Sequence, residues 1–94
     1  MKLAWITDPH LNFAEPGDRR RFYDSVKDTS ADAVLMGGDI GEAPDVIDYL
    51  RESRDATCLP IYFVLGNHDF YRGSIARVRH EIDSLCKVCP NLQV

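Results

Sequence analysis

Three stretches concentrate side chains that can bind a cation or move a proton: Thr7-Asp8-Pro9-His10, Gly37-Gly38-Asp39-Ile40-Gly41-Glu42 and Gly66-Asn67-His68-Asp69. Carboxylate, imidazole and amide oxygen together form a metal-ligand set. Hard oxygen donors suit Mn or Mg, and imidazole suits Zn, Fe and Mn. Two cations held about 3.5–4 Å apart need a carboxylate that bridges them. Two aspartates from different stretches supply candidates. The glycines permit tight turns and close backbone approach where a larger residue would block it.

The elements that must position these stretches are legible from the apolar pattern. Leu3-Ala4-Trp5-Ile6, Ala33-Val34-Leu35-Met36 and Ile61-Tyr62-Phe63-Val64-Leu65 are short apolar runs without polar alternation. Such runs suit strands of a parallel sheet buried on both faces, with Trp5 in the core. Between them the spacing predicts helices over 18–28, 44–54 and 74–87. Phe22 and Val26 are four apart in the first. Pro44 opens the second, ahead of a Val46-Ile47-Leu50 stripe. Ser74 is a good N-cap for the third, whose stripe is Ile75, Val78, Ile82 and Leu85. Pro90 halts that helix, and 91–94 form a candidate fourth strand. The reading is α/β, a parallel β-α-β-α-β-α-(β) layer with right-handed crossovers. Ligands of such sheets bind beyond the carboxyl ends of the strands. Each metal-competent stretch directly follows a strand, so Asp8, His10, Asp39, Asn67 and His68 are expected to converge on one edge.

Asp8-x-His10, Gly38-Asp39-x-x-Glu42 and Gly66-Asn67-His68-Asp69, in this order and spacing, resemble the calcineurin-like metallophosphoesterases. The resemblance covers nearly the whole chain and the N-terminal part of the family's domain. It implies the N-terminal half of a metallophosphoesterase-type α/β sandwich, with residues 1–94 as a single partial domain. It also implies roles. Asp8 and His10 would ligate one ion, Asp39 would bridge two, and Asn67 would ligate the second. His68 would face the substrate and help protonate the leaving group. Glu42 would orient His68, and Asp69 would support the ligands from behind. The implied activity is hydrolysis of a phosphomonoester or phosphodiester by hydroxide held between two divalent ions (Mn, Fe, Zn or Mg). The family pattern continues to a lone histidine and a Gly-His-x-His motif, and neither occurs here. The one remaining histidine, His80, falls within the third helix. This leaves the second ion short of ligands. The chain alone is therefore expected to be an incomplete phosphoesterase, needing a further segment or partner chain. The alternative is a non-catalytic metal-binding or assembly module.

Bulk properties narrow the rest. Ninety-four residues suit one small domain, and 45% apolar content is that of a globular chain rather than a disordered one. A net charge of −4 and a pI near 5.2 argue against a general nucleic-acid surface, while leaving a nucleotide or nucleic-acid substrate open. No apolar run approaches a membrane span, and the start lacks signal-peptide character, so the expected location is the cytoplasm. Three cysteines suggest no disulfide framework, and Cys86-x-x-Cys89 reads as reduced and half-buried. Arg19-Arg20-Arg21 reads as a solvated helix face. Asn12 and Phe13 either line the pocket or cap the loop after His10. Arg72 either contacts substrate or serves the surface.

Overall fold

Four strands and three helices alternate along the chain in the computed structural model, which describes residues 1–94. The order is β1 (Leu3–Ile6), α1 (Pro16–Asp28), β2 (Ala33–Gly37), α2 (Val46–Thr57), β3 (Ile61–Val64), α3 (Ile75–Val88) and β4 (Leu92–Gln93). All pairings are parallel and the spatial order equals the chain order, β1-β2-β3-β4. The α/β expectation holds, with element ends shifted by a few residues. Helix α1 starts at Pro16, whose fixed φ suits the first turn. Helix α2 starts at Val46 rather than Pro44. The Asp45 side chain accepts from the Glu42 N–H at 2.8 Å, making 42–45 a turn. Ser74 caps α3 as expected, accepting from the Arg77 N–H at 3.1 Å.

Strand order that never reverses has a consequence for layering. With every crossover right-handed, successive helices fall on the same side of the sheet. Val34, Met36, Ile61, Phe63 and Leu92 on that face pack with Tyr23 and Val26 of α1, Val46 and Leu50 of α2, and Val78, Ile82 and Leu85 of α3 in one core. The opposite face is bare. Leu3, Trp5, Tyr62 and Val64 are 47, 76, 45 and 57% exposed. This corrects the reading of these strands as buried on both faces and of Trp5 as core, and it is the exposed apolar face that half of a metallophosphoesterase-type sandwich is expected to present. An uninterrupted apolar run fixes neither which face is covered nor whether both are.

Helices α1 and α2 are joined by a polar cluster. The Arg19 Nε and the Tyr23 hydroxyl both donate to Glu52 Oε1, at 2.7 and 2.9 Å, and Ser53 Oγ lies 3.2 Å from the Tyr23 oxygen. Arg19 also stacks over the Tyr49 ring at 5.1 Å. Of the three consecutive arginines, then, only Arg20 and Arg21 are solvated surface; Arg19 is a structural tie. Burial pushes the Tyr23 phenol well above the ordinary tyrosine range; Ser53 opposes this and the adjacent Glu52 carboxylate adds to it. The fold therefore keeps the Tyr23 proton at a pH where the unfolded chain loses it, above about 10. The unfolded state binds fewer protons there, so stability falls as pH rises, by at most ~1.4 kcal/mol per unit for this group. Tyr23→Phe is expected to make the alkaline slope shallower by up to one proton, measured as urea-unfolding free energy between about pH 10 and 11.5. An unchanged slope would show that Tyr23 titrates alike in both states.

All three cysteines are free, Cys86 and Cys89 being half-buried as expected. His80 is exposed on α3, away from the strand ends. No helix is long and apolar enough to cross a membrane.

Candidate active site

The loops after β1, β2 and β3 are tied to one another at the carboxyl edge of the sheet. The His10 N–H donates to the Asp39 carbonyl at 2.9 Å, and the Leu11 N–H to the Ile40 carbonyl at 2.8 Å. The third loop joins through a buried carboxylate. Asp69, with no exposed surface, accepts from the N–H groups of Ile40 and Gly41 at 2.8 Å and of Gly66 at 2.9 Å. Burial raises the Asp69 pKa above the ordinary carboxylate range, and the three backbone donors partly offset that. Gly66 lies so close to Asp39 that an added Cβ would collide with Asp39 Oδ1. Gly38, at φ +95°, holds a conformation open chiefly to glycine and packs within 3.2 Å of Gly66 from where its own Cβ would stand.

This bracing brings three side chains together. Asp39 Oδ1 accepts from the His68 N–H at 3.0 Å. The His68 Nδ1 lies 3.2 Å from Asp39 Oδ2, without the alignment of a hydrogen bond. The His10 and His68 rings meet edge to face at 5.1 Å. Burial would push the Asp39 carboxyl up. The His68 N–H and imidazole, with His10 more distantly, outweigh burial and hold it below the ordinary range. Asp8, His10 and Asp39 have φ of 49°, 46° and 48°. The left-handed region is uncommon for side-chain-bearing residues, and such residues cluster at functional sites. Aspartate and histidine are among the residue types that adopt this region most readily, a weak signal in the sequence beside the adjacent Gly38.

The other expected site residues are placed differently. Asp8 and Asn67 stand on the same edge, exposed, and form no hydrogen bond or ion pair with the central three. No group of three or more His, Cys, Asp or Glu side chains is gathered as a cation would need. His10, Asp39 and His68 meet in direct contact, and Asp8 and Asn67 flank them in the same loops. Glu42 is a correction. Its carboxylate lies 3.8 Å from Arg72 Nε, and the carboxylate within 4 Å of His68 is that of Asp39. The turn at 42–45 directs Glu42 toward the Arg72 loop, and spacing alone could not reveal that. Two aromatic neighbours were missed or left open by the sequence. Tyr71 packs on His68 at 4.6 Å between ring centres, and Phe13 on His10 at 5.7 Å.

The donor chemistry fits a divalent cation. Carboxylate, imidazole and amide are its ordinary ligands, and the His10 Nδ1 is buried with no hydrogen-bond partner. A buried polar atom left unpaired is costly, and a bound ion is one explanation of it.

A four-stranded parallel sheet with helices on one side is consistent with the N-terminal half of a metallophosphoesterase fold. The family description "calcineurin-like phosphoesterase" matches residues 1–89, and the chain belongs to that family. No curated protein and no solved structure is significantly similar to it. The match supports phosphoester hydrolysis in general, in a family whose members generally use divalent metals.

Proposed function

We propose that the chain carries a metal-dependent phosphoesterase site at the carboxyl edge of its sheet. The observation that carries this reading is the meeting of His10, Asp39 and His68 from three successive strand ends. Asp8, His10, Asp39 and Asn67 would hold the ions, with Asp39 shared. Bound divalent ions supply acidification of the attacking water and neutralisation of phosphoryl charge. The remaining work falls to the chain's own groups. Asp39 fixes His68 through its backbone N–H. The His68 Nδ1 is buried, yet the side chain is 40% exposed, so the opposite edge of the ring, with Nε2, is the accessible one. That nitrogen can carry a proton to the leaving oxygen, as a general acid does. Asp69 holds the two loops at a fixed separation from beneath.

Two features favour incomplete assembly as a second reading: the ungathered donors and the bare apolar face. In this reading the 94 residues form part of a phosphoesterase domain, and another polypeptide segment supplies further donors. The two readings share one experiment. The purified chain is titrated with Mn²⁺ by calorimetry and assayed with p-nitrophenyl phosphate and bis(p-nitrophenyl) phosphate. Expected are weak metal binding and Mn-dependent turnover far below the ordinary enzyme range of about 1–10³ per second. Hydrolysis untouched by a chelator would overturn the metal-dependent reading. Tight binding of two ions with ordinary turnover would overturn the incomplete one.

A further inference from the structure

Four rings run in contact along the edge that carries the site: Phe13, His10, His68 and Tyr71. Successive centroids are 5.7, 5.1 and 4.6 Å apart. The two imidazoles are central, and the two carbocyclic rings stand at the ends, Phe13 79% and Tyr71 49% exposed. A phenylalanine this exposed sacrifices the burial its side chain would otherwise gain. Neither ring hangs on a loose loop. Phe13 ends a single 3-10 turn, Leu11–Phe13, whose Leu11 is buried in the core and whose Leu11 N–H is bonded to Ile40. Tyr71 is held on both sides: its N–H donates to the His68 carbonyl at 3.1 Å, and its carbonyl accepts from the Ala43 N–H at 2.9 Å. Rigid, exposed aromatic faces on both sides of a polar centre form a stacking platform with little ordering left to do on binding.

Resting on the phosphoesterase reading above, we infer that the site selects phosphate esters whose organic part is a planar ring, an aryl group or a nucleobase, stacked on Phe13 or Tyr71 while the phosphate lies over His10, Asp39 and His68. The negative net charge does not oppose this, because a mononucleotide or aryl phosphate is recognised by local contacts rather than by a basic surface. Trp5, comparably exposed, lies on the bare sheet face, makes no ring contact with these four, and takes no part.

The test uses the full chain with Mg²⁺ in excess and three probes sharing a phosphomonoester: adenosine 5′-monophosphate, phenyl phosphate and ribose 5-phosphate. Affinities come from nuclear magnetic resonance titration, so turnover is not required. Both ring-bearing probes are expected to bind about 5- to 100-fold more tightly than ribose 5-phosphate, as stacking of one ring implies. They should also shift the ring signals of Phe13 or Tyr71. The double variant Phe13→Ala, Tyr71→Ala should reduce that preference to under about twofold, by weakening the two ring-bearing probes rather than by tightening ribose 5-phosphate. A nucleotide preferred over phenyl phosphate would assign the platform to a base, and equal binding of the two to any flat ring. Equal affinity for all three probes would overturn the inference and leave the phosphoesterase reading standing. Binding of none would overturn both.

Discussion

Replacement of Asp69 by alanine is expected to destabilise the chain by about 3–5 kcal/mol, as two buried and one half-buried N–H donors lose a charged acceptor together. Ile40, Gly41 and Gly66 have no alternative partner at this edge: each backbone N–H points at the one carboxylate, which has no exposed surface. A domain of this size has only roughly 5–15 kcal/mol in hand, so the variant should be near unfolding at 37 °C. Asp69→Asn should cost less, about 2 kcal/mol. Its amide oxygen still serves Ile40 and Gly41, but its NH₂ group then faces the Gly66 N–H, donor against donor. Urea unfolding of the two variants and the parent decides. An alanine variant within about 1 kcal/mol of the parent would show that water replaces the carboxylate at no cost.

Asp69 also marks how far the sequence could be read. Its place after Gly66-Asn67-His68 flagged it as a residue behind the site, and the strand-then-polar-loop rhythm placed the loops on one edge. The strands were legible because β-branched and aromatic residues crowd into short runs, and the helices because their stripes follow the 3.6-residue period. What escaped has physical causes. Whether a strand has one covered face or two depends on where the helices fall, and this follows from the order of strands, a tertiary property. The left-handed backbone at Asp8, His10 and Asp39 falls on residue types that tolerate it, but that tolerance alone does not say which of the chain's aspartates and histidines adopt it; at His10 and Asp39 a hydrogen bond between the two loops accompanies it. Glu42 was assigned to His68 through the family resemblance, but the turn closed by Asp45 sends it to Arg72.

Asp39→Asn is expected to lower Mn²⁺ affinity at least ~100-fold while leaving the fold nearly intact. The substitution suits the position unusually well. Asparagine tolerates left-handed backbone, here φ 48°, better than nearly any other residue with a side chain. Its amide oxygen can still accept the His68 N–H that Asp39 Oδ1 now takes. What it removes is the negative charge, 19% exposed, that would attract and be shared between cations. His68→Asn should behave in the opposite way, with metal affinity nearly unchanged and turnover reduced by about 10²–10⁴-fold, the usual worth of a general acid. Calorimetry with Mn²⁺, paired with circular dichroism, checks both variants. Retained affinity in the Asp39 variant would remove this residue from the metal site.

The monotonic strand order bears on how the chain reaches this state during synthesis. Each new strand pairs with the one made just before it, and none has to insert between two strands already joined. The bonds that close the edge are of middling span: Asp69 reaches back 29 residues to Ile40 and 28 to Gly41. Growth can therefore proceed unit by unit as the polypeptide leaves the ribosome, with domains emerging N-terminal end first. Until residue 69 emerges, however, the loop after β2 lacks the acceptor for two of its N–H groups. The nascent chain would hold its first two strands with a slack, uncommitted edge, and the site would lock in one late step.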